Sequence, residues 1–231
     1  MKKIAVTGAS GVIGRALAEG LADRYALSLM SRSIDGTDLT RTDTLADRLV
    51  GHDAVVHLAW QYADPERRPT LGYFDNLAMS RSVLLAARAA GVPRVVMASS
   101  VHADYFYDHV GPELISPDRT PRGNDVYGCA KVMVEQLGRE LAGDGLHVCT
   151  VRYGAVTPGG SPHPTDAWER RVWLSRRDLC NLIVRIVESS APPEAALVYA
   201  VSDNEGRAHD TANPFGWEPV DRAEALAEVR P

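Results

Sequence analysis

The chain has 231 residues, 45% apolar and 24% charged, and carries 25 Lys and Arg against 30 Asp and Glu for a formal net charge of −5. That length supports one large domain with its own core, and the absence of any block of like charge argues against nucleic acid or an anionic membrane as the main partner. Cys129, Cys149 and Cys180 stand apart without metal-ligand spacing, so neither a disulfide framework nor a metal centre is expected and a reducing compartment fits. No apolar run approaches the roughly 20 residues of a bilayer span, and a strand begins where a secretory leader would stand, so a cytoplasmic protein is expected.

Lys2 to Gly14 reads KKIAVTGASGVIG. Ile4, Ala5 and Val6 form a short apolar strand, and Gly8, Gly11 and Gly14 follow at a three-residue step. Strand, glycines and then helix is how an α/β protein holds a dinucleotide. Gly8 permits the sharp turn, Gly11 lets the backbone approach the pyrophosphate, and Gly14 lets the helix pack close to the strand. The phosphates sit on the helix N-terminus, where free N–H groups and the helix dipole favour negative charge.

The first helix is predicted over about 11–24, with Ile13, Leu17 and Leu21 on one face. The next strand, Tyr25 to Met30, ends in Ser31-Arg32-Ser33. A side chain here faces the adenosine ribose: a carboxylate bonds the 2′-hydroxyl of NAD, and a cation accommodates the 2′-phosphate of NADP. Arg32 therefore favours NADP(H), while NAD(H) stays open because Asp35 is near enough to swing in. Asp38-Leu39 follows a very short third segment, and Thr42 is predicted to cap a helix through Leu49.

DAVVHLAW, residues 53–60, has the length and composition of a buried parallel strand. Its end, His57-Leu58-Ala59, reaches the carboxyl edge of the sheet, where ligands bind. His57 reads first as a packed residue and second as a catalytic one. Residues 60–70 are a polar, proline-bearing loop. A helix over 70–90, with Asn76 early in it, stops at Gly91 and Pro93. RVVMASS, residues 94–100, is another buried strand and ends in two serines. Residues 101–126 show no period, and a loop this long in a compact domain is usually functional.

Tyr127 opens a helix to about 141. A strand over 146–153 follows, then GAVTPGG, a polar loop, a helix over 177–188, a strand over 197–202 and a last helix near 221–229. Strands alternating with helices at this spacing make an α/β, doubly wound, mostly parallel sheet. Residues 1–231 are read as a single domain, with 155–231 largely contributing a small C-terminal substrate-binding part.

Tyr127 and Lys131, four apart, share one helix face. A tyrosine with its ordinary pKa of about 10 is a poor acid–base group at neutral pH, and a nearby ammonium favours the phenolate. Ser100, ending an adjacent strand, is placed to hold a substrate oxygen for hydride transfer. Tyr-x-x-x-Lys alone is common by chance. Behind a glycine triplet and a strand-end serine, in that order, chance explains it poorly.

With these stretches the chain resembles the extended short-chain dehydrogenase/reductase superfamily in its NAD-dependent epimerase/dehydratase branch. TGASGVIG, Asp38-Leu39, DAVVHLA, the helix with Asn76, VVMASS, Tyr127-Gly128-Cys129-Ala130-Lys131 and Arg152-Tyr153-Gly154 carry the likeness over about residues 3–160. It implies a Rossmann-type NAD(P)-binding fold and an oxidoreductase. Tyr127 becomes the general acid–base, Lys131 lowers its pKa and holds the nicotinamide ribose, and Ser100 orients the substrate. Gly8, Ser10, Gly11, Val12, Ile13, Gly14, Arg32, Asp38, Leu39, Leu58, Ala59 and Tyr153 join Tyr127 and Lys131 in the cofactor set, with Asp38 near adenine. Relatives of this kind dimerise through two long helices, here those near 70–90 and 127–141.

WLSRRDL at 173–179 and FGWEP at 215–219 are similar to uronate dehydrogenases within that branch. Tyr62, Val101 and Ala155 stand where that group uses small polar residues to hold a sugar acid. Those departures point away from a uronate, although Arg170 or Arg171 would suit a carboxylate clamp. A nucleotide-sugar 4,6-dehydratase needs a carboxylate pair after the catalytic serine or threonine, and Ser100-Val101-His102 lacks it. A nucleotide-sugar epimerase needs a larger C-terminal part, so epimerisation, like a uronate-type sugar dehydrogenase, stands as an alternative reading. The reading that remains is reversible hydride transfer between the nicotinamide and a small polar alcohol or ketone. Tyr62, Val101, His102, Ala155, Trp168 and Arg170 are expected around it with Ser100 and Tyr127, joined by Tyr105 and Tyr107. Their aromatic character suits a ring-bearing substrate, either sugar-like or a nucleoside-like heterocyclic ketone. A non-catalytic cofactor-binding sensor is the contrasting reading, and the presence of both Tyr127 and Lys131 argues against it.

Overall fold

Strands rich in valine and alanine, buried on both faces, are the centre of the computed structural model, which describes residues 1–62, 72–107, 109, 111–123, 125–162 and 166–227. β1 (Lys3–Thr7), β2 (Ala26–Met30), β3 (Ala54–His57), β4 (Arg94–Ser100), β5 (His147–Tyr153) and β6 (Ala195–Ala200) form one parallel sheet in the order β2-β1-β3-β4-β5-β6. Val6 pairs with Leu29 on one side and Val56 on the other. The order reverses between β1 and β3, so the chain leaves the carboxyl ends of these two strands in opposite directions. The crevice between them is where ligands of such sheets bind.

Alternation along β1 sends its side chains to two cores. Ile4 and Val6 meet Leu17 of α1 (Val12–Gly20) together with Leu179, Leu182 and Ile183 of α6 (Arg176–Glu188). Ala5 meets the opposite layer: Leu45 and Leu49 of α2 (Thr42–Leu49), Val83 and Leu84 of α3 (Gly72–Ala89) and Val134 of α4 (Val126–Glu140). A third cluster, with Val101, Phe106, Ile115, Tyr199 and Val201, gathers at the carboxyl ends of β4 and β6.

Several boundaries differ from the sequence reading for local reasons. α1 stops at Gly20, and Tyr25 closes the following turn through its N–H to the Leu21 carbonyl instead of starting β2. β3 ends at His57, because beyond it only Leu58 N–H reaches back to Thr7 of β1. The short third segment before residues 38–39 forms no strand; Leu39 is buried in the core, while Asp38 accepts hydrogen bonds from Thr40. Thr42 is the first helical residue and not a cap, and its hydroxyl bonds Ser82 at 2.9 Å. β6 lies two residues earlier than expected, because Ser202 N–H already leaves the sheet for the Trp173 carbonyl. Asp166 caps a short helix, α5 (Ala167–Arg171), inside the stretch read as polar loop. The chain also makes a 3₁₀ turn at Val101–Ala103. The final helix is α7 (Ala223–Ala227); its expected continuation over 228–229, most of the expected 60–70 loop and the start of the 70–90 helix lie outside the described residues.

The two uronate dehydrogenase-like motifs meet at Asp178. Its fully buried carboxylate accepts the Ser202 hydroxyl at 2.7 Å and the Val220 and Asp221 N–H groups at 3.0 Å. Its carbonyl accepts the Trp217 indole N–H, and Ser175 caps α6 on the Asp178 N–H. WLSRRDL and FGWEP therefore brace one another within the fold. Asp178→Ala strips three donors of their acceptor and is expected to destabilise the protein by about 3–5 kcal/mol in urea unfolding.

Candidate active site

The loop after β1 is shaped by what its glycines touch. Gly8 has φ +71°, and a Cβ there would lie 2.5 Å from the Ala59 nitrogen, so the loop can pass the end of β3 only without a side chain. A Cβ on Gly14 would lie 2.6 Å from Ala9 Cα, which is the close helix–strand approach expected of it. Gly11 is the N-cap of α1 and brings no side-chain cap, leaving first-turn N–H groups for a ligand.

From that helix end a cavity of about 580 Å³ runs along the carboxyl edge of the sheet. Gly8, Ser10, Gly11, Val12, Ile13 and Gly14 line one end; Leu58 and Ala59 line the middle; Tyr62, Ser100, Tyr127, Lys131 and Tyr153 line the other. Arg15, Trp60, Ala98, Ser99, Gly154 and Val156 share the lining; of these Arg15, Trp60 and Ala98 were given no site role in the sequence. Arg15, a cation directly after the third glycine, was the most legible of them.

Ser100 and Tyr127 face each other here. Tyr127 stands in the first turn of α4, which Asp125 caps by accepting the Gly128 N–H at 2.6 Å. The Ser100 hydroxyl accepts the His102 N–H at 3.2 Å and hydrogen-bonds Tyr127. Ser99 points the other way and donates to Glu135 at 2.5 Å. Glu135 also takes Arg152 in a bidentate pair at 2.8 and 2.7 Å, and Arg152 donates to the Tyr199 hydroxyl at 2.6 Å.

Lys131 is 3% exposed, donates to the Ala98 carbonyl at 2.9 Å, and sits 3.5 Å from the centre of the Trp60 ring. Burial pushes its ammonium down to about 7, against the attraction of Glu135. Burial also drives the Tyr127 phenol well above its ordinary value; nearby Tyr62 adds to this and the Ser100 hydrogen bond opposes it. The Lys131 ammonium, engaged by Ala98 and the indole, stands 5.5 Å from the Tyr127 ring centre. In this state Tyr127 holds its proton and is a donor.

Other expected site residues lie apart from the cavity lining. Val101 is buried in the third core cluster, and Ala155 bridges to Trp173. His102 stands edge-on to Tyr127 at 5.8 Å and to Tyr107 at 6.1 Å, and Tyr107 meets Trp168 at 5.7 Å, so these rings form an outer shell. Arg170 is half-buried on α5, and Arg171 is held by the Gly206 carbonyl. Arg32 and Asp38 are exposed beyond β2, whereas the Leu39 side chain is turned into the core. Asp35 is engaged by Thr37, Arg48 and the Ser31 N–H. Burial opposes its ionisation, but these bonds outweigh it and hold the carboxyl down at about 2. His57 is packed, with Thr7 at 2.7 Å and Ser80 at 3.2 Å, and burial pushes it down to about 3 with the Lys131 charge adding to the effect. Among the described residues no cluster of three His, Cys, Asp or Glu could hold a metal ion, and no helix is long and apolar enough to cross a membrane.

Residues 4–175 match the NAD dependent epimerase/dehydratase family. L-arabinose 1-dehydrogenase (NAD(P)(+)) of Haloferax volcanii is 32% identical over 99% of this chain and 100% of its own. Uronate dehydrogenase of Agrobacterium fabrum is 28% identical over 98% and 87%. The crystal structure of uronate dehydrogenase from Agrobacterium tumefaciens superposes with a TM-score of 0.79 at 27% identity, covering 100% of this chain and 90% of that one; a mutant of it has been solved with NAD.

Proposed function

The chain belongs to the NAD dependent epimerase/dehydratase family, and from that membership we propose that it is an NAD(P)-dependent dehydrogenase acting on an uncharged, sugar-like ring alcohol or ketone. Relatives that are dehydrogenases of arabinose and of uronates support the enzyme class and the nicotinamide cofactor. The residues present fit such a cofactor: uncapped N–H groups at α1, two glycines that admit no side chain, and a buried ammonium beside Tyr127. When bound, the nicotinamide supplies or accepts the hydride.

The chain's own residues do the rest. The α1 end and Arg15 hold the pyrophosphate, Lys131 faces the ribose, and Ser100 orients the substrate oxygen. Tyr127 gives that oxygen a proton in reduction and takes one from it in oxidation. α6 and β6 complete the layers of the sheet, so the substrate-facing share of residues 155–231 falls mainly to the stretch before α6. Exposed Phe74 on α3 and Val126 and Met133 on α4 suit a homodimer across those helices.

One observation carries the substrate class. At the Tyr127 end the cavity has aromatic walls from Trp60 and Tyr62, while Arg15 and Lys131 are the cations of its described lining and neither Arg170 nor Arg171 belongs to it. Aromatic faces suit the C–H face of a neutral sugar ring, and among the described residues the lining at this end offers a carboxylate no guanidinium. A panel of neutral aldoses and uronates, assayed with both cofactors, tests this. Turnover of neutral aldoses is expected, and turnover of uronates alone overturns it.

Exposed Arg32 beyond β2, with Asp35 already engaged by Arg48, supports a preference for NADP(H). Arg32→Asp is expected to raise the NADP+ dissociation constant roughly 10–100-fold, as loss of charge-assisted phosphate contacts would, while leaving NAD+ binding as tight or tighter. Calorimetric titration of both cofactors reads this out, and equal weakening of both contradicts it.

A further inference from the structure

Trp60 is the first residue beyond Leu58-Ala59, and its half-buried indole lines the cavity. One face receives the Lys131 ammonium at 3.5 Å from the ring centre, well inside cation–π reach. The same ring stands edge-on to Tyr127 at 5.6 Å and 89°, and Tyr73 of α3 packs beside it at 6.0 Å. We propose that Trp60 is a positioning residue for Lys131: its indole face holds the ammonium against the Ala98 carbonyl, beside Tyr127 and ready for the cofactor ribose. The proposal rests on the reading of Lys131 as a cofactor-facing cation.

The surroundings leave this task to the indole. Lys131 has three donors, and Ala98 takes one. Glu135, one turn further along α4, is bound to Arg152 of β5 and to Ser99 of β4. From β3 the ammonium faces His57, neutral between Thr7 and Ser80. Tyr127 holds its proton, and Tyr73 lies against the indole. A buried ammonium with one carbonyl partner tends to lose its proton, and the negative face of the indole opposes that loss. Removing the ring withdraws support from the charged form, so Lys131 must then titrate at lower pH.

The test measures Lys131 directly in cofactor-free protein. Competitive acetylation across a pH series, read by mass spectrometry, gives its titration in wild type, Trp60→Phe and Trp60→Leu, with circular dichroism confirming the fold. Trp60→Met replaces the leucine variant if that one does not fold. The ring-free variant is expected to titrate roughly 0.5–1.5 pH units below wild type, with Trp60→Phe in between. An unshifted titration, or equal shifts in the phenylalanine and ring-free variants, overturns the proposal. NADP+ calorimetry above neutral pH separates the two readings. A shifted Lys131 with weakened NADP+ binding supports both. A shifted Lys131 with unchanged NADP+ binding upholds the Trp60 clamp and removes Lys131 from the cofactor site.

Discussion

Tyr127→Phe is expected to lower kcat by roughly 10²–10⁴-fold, the range carried by a positioned proton donor, and to leave cofactor binding nearly unchanged. Phenylalanine keeps the ring, and with it the stacking against Tyr62 at 6.0 Å and the edge contacts with Trp60 and His102. What disappears is one hydroxyl and its hydrogen bond to Ser100, whose oxygen still accepts the His102 N–H. The fold is therefore untouched, and a lost rate is a lost proton transfer. Steady-state turnover read alongside cofactor calorimetry checks this. A variant that turns over like wild type removes Tyr127 from the chemistry. One that also loses cofactor binding shows the hydroxyl acting on the ground state.

The second large effect is on stability. Arg152→Met is expected to cost about 3–5 kcal/mol, because it strands the Glu135 carboxylate in the interior. Arg152 is fully buried and Glu135 nearly so. Their bidentate pair is joined by the Tyr199 hydroxyl on one side and by Ser99 on the other. After the change Glu135 keeps Ser99 but loses its counter-charge, and Tyr199 loses its donor. For a chain of this size each kcal/mol moves Tm by roughly 2–4 °C, so a drop of about 6–20 °C is expected in thermal unfolding. A Tm close to wild type would mean that the pair is replaceable by packing alone. The network lies directly behind Ser100 and Lys131, so its loss is also expected to loosen the Tyr127 end of the cavity.

Much of this arrangement was legible in the chain. RVVMASS matched β4 to its ends because a short, largely buried run without glycine or proline suits a central parallel strand. The glycines were legible because close backbone contact leaves no alternative residue, as Gly8 against Ala59 shows. The choice of Ser100 over Ser99 came from the family resemblance; alternation along the strand sends Ser99 to Glu135 and Ser100 to Tyr127. What stayed hidden depends on contacts between distant elements. Leu39 and Val101 have the side chains of groove-lining residues but are drawn into separate core clusters. Trp60 looked like the end of a strand, and only the meeting of β3 with α4 lays its ring on Lys131. The carboxylate of Asp178 looked like an ordinary helix residue until the 217–221 segment folded over it.

Net hydride transfer to the nicotinamide is tested most directly with L-arabinose or another neutral aldose deuterated at its anomeric carbon. The sugar is incubated with the protein and NADP+, and the cofactor is analysed by mass spectrometry. The expected result is reduced nicotinamide carrying one deuterium, formed by wild type and not by Tyr127→Phe. Cofactor that stays oxidised and unlabelled while the sugar is converted would contradict this reading and assign the protein to epimerisation instead.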